Sequence, residues 1–147
     1  QNHYNLAYRE EEREMIPFCR ATGVGLLPWS PLARGFLAGN RALADKSQQG
    51  ATDRANTDDI ALKFYYNEAD FAVVEALGKV AAARGVSNAT VAYAWLLAQP
   101  GVSCPIVGAS RPEQLDDALA AIDFALSAEE DAALQAAYRP HPVLGHT

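Results

Sequence analysis

Apolar side chains recur along this chain in two rhythms, one helical and one strand-like. From about Glu10 to Thr22 the sequence is charged at first and then apolar at Met15, Ile16, Phe18 and Cys19, with acids in its first turn and Arg20 in its last. That is the pattern of an amphipathic helix whose ends complement its dipole. Pro17 is expected to kink it, and Gly23 to close it in the left-handed conformation. Asp70 to Arg84 carries Phe71, Val74, Leu77, Val80 and Ala81 at helical spacing and is stopped by Gly85. Ser87 is suited to cap a further helix holding Val91, Ala94, Trp95 and Leu97 up to Gln99, before Pro100-Gly101. Ser110-x-x-Glu113 and Ser127-x-x-Glu130 both read as capping boxes, the serine reaching forward to an amide and the glutamate reaching back. Pro112 sits where a first helical position tolerates it.

Val24 to Leu27 is a short continuous apolar run between glycine and proline, the signature of a strand buried on both faces. Ser103 to Val107 repeats that reading, although Pro105 makes it a poor central strand. Residues 1–6 have strand-edge chemistry with nothing leading into them, as at the end of a strand whose start is missing. The order is therefore strand, helix, strand, long segment, helix, helix, strand, helix, helix, a parallel α/β pattern with right-handed crossovers. No internal repeat interrupts it. Residues 35–66 form the irregular part, with 46–50 and 53–59 too polar to pack, and a loop of that length is either a lid or disordered.

At 147 residues, half of them hydrophobic, the chain has the size of one domain able to bury a core. Its net charge of -6 argues against nucleic-acid or anionic-membrane partners and favours a small molecule. No apolar run approaches the roughly 20 residues of a membrane span, and Gln1 opens no signal segment; a cytoplasmic protein is expected. Cys19 and Cys104 have neither metal-knuckle nor redox-pair spacing and read as reduced packing residues. His3, His141 and His146 are scattered, so no metal site is expected.

Two segments turn from apolar runs into hydrogen-bonding residues, which is where parallel-sheet proteins put their ligands. In the first, Trp29 offers a flat surface to an aromatic ring, followed by Ser30 and the backbone amides of Leu32 to Arg34; a core tryptophan followed by a proline-ordered turn is the competing reading. In the second, Gly108 leads to Ser110 and Arg111 at a helix start, where free amides and a guanidinium fork suit a phosphate such as the 2′-phosphate of NADP. Its competitor is a capping serine beside a solvated arginine. Gln114 and Asp117, on the following turn, lie on the face that reaches an adenine and ribose.

Taken in order, Gln-Asn-His-Tyr-Asn-Leu at 1–6, Arg-Glu-Glu-Glu-Arg-Glu at 9–14, Gly-Val-Gly-Leu-Leu-Pro-Trp-Ser-Pro-Leu-Ala-Arg-Gly at 23–35 and Val-Gly-Ala-Ser-Arg-Pro-Glu-Gln-Leu at 107–115 resemble the carboxyl-terminal half of bacterial aldo-keto reductases. The resemblance implies an incomplete (β/α)8 barrel, with about three parallel strands and their helices in a single partial domain over 1–147. A whole barrel needs about 250 residues. It further implies NADP(H) as cofactor and an aldehyde or ketone as substrate of the parent enzyme. By the same likeness Gln1 holds the nicotinamide carboxamide, Trp29 stacks under the nicotinamide, and Ser30, Leu32 and Arg34 wrap the pyrophosphate. Gly108, Ser110, Arg111 and Gln114 surround the 2′-phosphate, and Asp117 stands near adenine. The family's proton-donating tyrosine and its lysine, aspartate and histidine partners have no matching position, so no catalytic residue is assigned and the chain by itself is expected to be inactive. Tyr4 and His3 belong to the strand that carries Gln1, and its geometry speaks against proton transfer there. A second reading is a non-catalytic nucleotide-binding module that self-associates through unpaired strand edges.

Overall fold

The computed structural model describes residues 1–40 and 58–144. Three extended segments lie side by side in the order 1–5, 26–29, 102–106, joined by the parallel bridges His3–Trp29 and Leu26–Val102. Four backbone hydrogen bonds hold them: Leu26 N–H to the Gly101 carbonyl at 3.0 Å, Ser103 N–H to Leu26 at 2.8 Å, Ile106 N–H to Pro28 at 2.8 Å and Trp29 N–H to Asn2 at 3.0 Å. The expected strands are thus present as extended segments, but no continuous ladder forms among the described residues. Pro28 and Pro105 have no N–H to donate. Gly25 is pressed so near its neighbour that an added Cβ would lie 2.2 Å from Ser103 Oγ.

Burial on both faces does not hold. Leu26 is 3% exposed, whereas Val24 is 53% and Leu27 37% exposed, so the central segment packs one face only. Cys104 is likewise exposed, while Cys19 is buried.

The acid-rich start of the first helical stretch becomes a separate 3-10 turn, Glu10–Glu12, and α1 runs Met15–Thr22. Pro17 causes no kink because the helix begins two residues ahead of it, within the first turn, where the missing amide would have no intrahelical acceptor. Gly23 ends α1 at φ +72° as expected.

Within the stretch expected to be irregular, α2 spans Asp59–Phe64, and the Asp58 carboxylate caps it by accepting from Ala61 N–H at 3.0 Å. Phe36, Leu37, Ala61 and Tyr65 are in the core, so both flanks of residues 35–66 are packed. Residues 41–57, with nearly all of the polar tracts, lie outside the described residues.

The helix α3, Glu68–Arg84, starts two residues earlier than the apolar spacing suggests because Asn67 and Asp70 form a reciprocal cap, and it ends on Gly85 at φ +65°. Ser87 caps α4, Asn88–Leu97. Every residue of α4 from Ala89 to Leu96 is buried, as befits a helix that is apolar all round. It packs between α3 and α5, Pro112–Ala120, while α6, Ala128–Ala137, lies on α3. Leu77 of α3 and Leu134 of α6 are fully buried, worth about 2 kcal/mol each. Arg9 is held between the rings of Trp95, 5.0 Å from its centroid, and Tyr138, 4.9 Å away, and donates to the Gln135 side chain.

After α6 the chain returns across the 3-10 turn. His141 N–H and Tyr138 O–H both donate to Glu10 Oε1, at 2.9 and 3.1 Å, and His141 Nε2 meets Asp70 Oδ1 at 2.6 Å. Among the described residues no helix is long and apolar enough to cross a membrane.

Candidate functional site at the carboxyl ends of the extended segments

Beyond Trp29 the backbone enters a tight, strained turn. Ser30, Ala33 and Arg34 have φ of +54°, +49° and +59°, three non-glycine residues in the left-handed region within five positions. Each costs about 1 kcal/mol, and such strain collects at functional loops. Ala33 N–H donates to the Ser30 carbonyl at 2.8 Å, and Gly35 and Leu37 N–H to the Leu32 carbonyl at 2.9 and 3.1 Å. The N–H groups of Leu32 and Arg34 have no acceptor among the described residues. Arg34 Nε donates to Asp58 Oδ2 at 2.5 Å, so the acid that caps α2 also holds this guanidinium over the turn.

Trp29 is backed by the first segment. The His3 ring stacks on the indole at 4.2 Å and 12° and on Tyr8 at 4.2 Å and 14°. Its Nε2 is hydrogen-bonded to the Tyr65 hydroxyl at 2.5 Å, and that hydroxyl accepts from Asn5 Nδ2 at 3.1 Å. The same Asn5 amide donates to the Ser30 carbonyl at 2.9 Å. Burial, reinforced by the field of His141, lowers the His3 pKa to about 4, and burial pushes the Tyr65 hydroxyl up. Tyr4 points elsewhere: it donates to Glu12 Oε1 at 2.6 Å and packs on Trp95. His3 and Tyr4 therefore share no acid–base site.

The second loop departs from the expected cap. Ser110 with Glu113 does not form the capping box; Arg111 is the N-cap of α5, with φ -140° and ψ 148°, and Pro112 is its first residue. A residue before proline is pushed out of the helical region, which moves the helix start one position past Ser110. Gln114 does the reaching back, its Oε1 accepting from Ser110 N–H at 2.8 Å, Arg111 N–H at 3.3 Å and Ser110 Oγ–H at 3.2 Å. Asp117 is drawn inward, its Oδ1 accepting from Ser87 Oγ at 2.7 Å and tying α5 to the start of α4. Arg111 is exposed and has no ion-pair partner among the described residues. A Cβ added to Gly108 would meet no protein atom within 4 Å, so packing does not demand a glycine there.

Because Ile106 N–H bonds Pro28 and Trp29 N–H bonds Asn2, both loops leave from adjacent carboxyl ends. Trp29, Ser30, Leu32 and Arg34 follow from one of those ends, and Gly108, Ser110 and Arg111 from the other. Gln1 is exposed and stands two residues ahead of the His3–Trp29 bridge. An open groove of about 390 Å³ between Cys19, Arg20, Gly25 and Ser103 lies at the opposite, amino end of the segments, away from both loops. Asn5, Asp58 and Tyr65 support the first loop yet do not stand out in the sequence. The buried amide amid the apolar residues of 4–8 is the one local signal; the partners of the other two are distant in sequence.

The model of the aldo/keto reductase family matches residues 1–139. The chain belongs to that family. Among its relatives, a Schizosaccharomyces pombe protein provisionally named aryl-alcohol dehydrogenase is 45% identical over 99% of this chain and 39% of its own length. The versiconal hemiacetal acetate reductase of Aspergillus parasiticus is 42% identical over 97% of this chain and 40% of its own. These fungal sources widen the bacterial likeness expected from the motifs to the family at large. A similar solved structure is the glycerol dehydrogenase of Gluconobacter oxydans, with a TM-score of 0.72, 26% identity, and coverage of 95% of this chain and 42% of that one. A thermostable aldo-keto reductase solved with the inhibitor epalrestat gives 0.60, at 26% identity over 92% of this chain and 38% of that one. The aldo-keto reductase chain therefore spans about two-fifths of the length of its relatives.

Proposed function

We propose that this chain is the NADP(H)-holding part of a carbonyl oxidoreductase, a section of a (β/α)8 barrel whose proton-transfer residues come from the rest of such a barrel. Family membership supports oxidoreductase chemistry. The residues at the rim fit the dinucleotide: an aromatic face at Trp29, amides at Leu32 and Arg34 that no described residue accepts from, open space over Gly108, and at a helix start a guanidinium with no ion-pair partner among the described residues. The chemistry supplied by the bound dinucleotide is hydride transfer to or from a carbonyl carbon.

Trp29 provides the stacking surface for the nicotinamide, and Gln1 a donor and acceptor for its carboxamide. Ser30, Leu32 and Arg34 lie along the pyrophosphate, the Arg34 charge held in register by Asp58. Arg111, Ser110 and the first amides of α5 take the 2′-phosphate. Gln114 and Asp117 contribute with what their internal bonds leave, the Gln114 Nε2 donor and the second Asp117 oxygen. The substrate is a small carbonyl compound. Leu27, Ile106, Leu115, Leu119 and Ile122, all more than a third exposed, form the apolar surface that further barrel strands and helices would cover.

The observation that carries this reading is the exposed Arg111 at the start of α5, without an ion-pair partner among the described residues, beside an uncrowded Gly108. Arg111→Ala in the complete polypeptide bearing this sequence should weaken NADPH binding about tenfold or more, the loss of a charged hydrogen bond. NADH, which lacks the phosphate, should be affected less than about twofold. Equal effects on both nucleotides, or on neither, overturn the assignment. The self-associating module is separated by sizing: a stable dimer without NADPH binding supports it against the reductase.

A further inference from the structure

Behind the proposed cofactor face of Trp29 stands a ladder of three flat rings. Tyr8, His3 and Trp29 are spaced at 4.2 Å, and their planes differ by 14° and 12°. The middle ring is the one with a fixed edge: its Nε2 is hydrogen-bonded to the Tyr65 hydroxyl, and Tyr65 is itself steadied by Asn5. Asn5 also bonds the Ser30 carbonyl, immediately after the indole and at a residue held at a φ of +54°, where Ala33 N–H is the second donor. One asparagine thus links the ring behind Trp29 to the turn in front of it.

We propose that His3 is a positioning residue for the cofactor: its imidazole backs the Trp29 indole and fixes the plane on which the nicotinamide stacks, without touching the cofactor itself. This rests on the cofactor reading above. Every group facing the ring is compatible with a neutral imidazole. Tyr8 and Trp29 cover its faces, Phe64 and Tyr65 its edges at 5.8 and 5.9 Å, and the Asn5 amide lies 3.5 Å from Nε2. No carboxylate of the described residues contacts it. His141, on the far side of Tyr8, repels a second positive charge. Without the ring, Trp29 gains a void behind it and freedom to tilt, and a stacking partner must then reorder it on binding.

The test compares His3→Ala and His3→Phe with wild type in the complete polypeptide, reading NADPH affinity, melting temperature and the His3 Cε1–H resonance. His3→Ala should weaken NADPH binding about tenfold, the scale of one lost aromatic contact. His3→Phe, which restores a flat ring, should bind within about threefold of wild type. In the unliganded wild type the His3 Cε1–H resonance should lie upfield under the two neighbouring rings, and Trp29→Ala should shift it downfield. A lower melting temperature in His3→Ala with unchanged affinity, equal losses in both His3 variants, or a His3 resonance indifferent to Trp29 each overturn the proposal. Wild-type protein that fails to bind NADPH refutes the cofactor reading instead, and the ligand-free resonance then decides whether His3 backs the indole.

Discussion

His141 Nε2 and Asp70 Oδ1 meet at 2.6 Å with both side chains at least 95% buried, at 5% and 2% exposure. The other Asp70 oxygen accepts from Asn67 N–H at 3.3 Å, so one carboxylate starts α3 and anchors the segment that follows α6. Hydrogen bonding to Asp70, helped by its charge and that of Glu10, raises the His141 pKa above its ordinary value. His141→Ala strands a buried carboxylate and should lower the free energy of unfolding by about 3 kcal/mol. Urea denaturation at unchanged m measures it; a loss below about 0.5 kcal/mol would show that the pair contributes nothing.

The two buried histidines should shape the pH dependence of stability in opposite directions. His3 titrates at about 4 in the folded chain against 6.5 unfolded, so its contribution is full above 6.5 and is lost as pH falls toward 4. That limb is worth about 3 kcal/mol. His141 is shifted upward, so its contribution is full below 6.5 and is lost as pH rises through the folded value. Unfolding free energy should therefore peak near the ordinary histidine pKa. His3→Phe should flatten only the acid limb and His141→Gln only the alkaline one; a variant that flattens the other limb contradicts the assignment.

Gly108→Val fills space that no protein atom occupies within 4 Å, at a φ outside the left-handed region. Its melting temperature should match wild type, while NADPH affinity falls about tenfold from crowding of the ligand. Parallel losses of stability and affinity would mean that the glycine serves the fold.

Ser127 and Ser110 look alike in sequence and differ in structure. Ser127 Oγ accepts from Glu130 N–H at 3.2 Å while Glu130 Oε2 accepts from Ser127 N–H at 2.7 Å; Ser110 caps nothing. Ser127→Ala should cost about 1 kcal/mol, and Ser110→Ala should leave thermal stability within about 0.5 kcal/mol of wild type. Chemical denaturation of both variants checks the contrast.

That contrast also marks where sequence reading succeeds. The ends at Gly23, Gly85 and Ser127 were legible because each is decided by backbone freedom or a hydrogen bond within four residues. The Ser110 cap was misread because the conformational effect of Pro112 on Arg111 outweighs a motif match. The extended segments were recognisable from their apolar runs, yet their single bridges follow from Pro28 and Pro105 lacking donors, and their one-sided burial depends on what lies across from them. At the site, Trp29, Ser30 and Arg111 announced themselves by residue type. Their supports did not: Tyr65 comes 62 positions after His3 and Asp58 24 after Arg34, and nothing local records either encounter.

Glu10 receives two of its hydrogen bonds from Tyr138 and His141, 128 and 131 positions later. During synthesis at about 5 to 20 residues per second, that carboxylate stays without these partners for on the order of ten seconds after it leaves the ribosome. The 3-10 turn beside α1 is accordingly among the last parts of this chain to acquire its native surroundings, and contacts of such long sequence separation slow the final approach to the folded state.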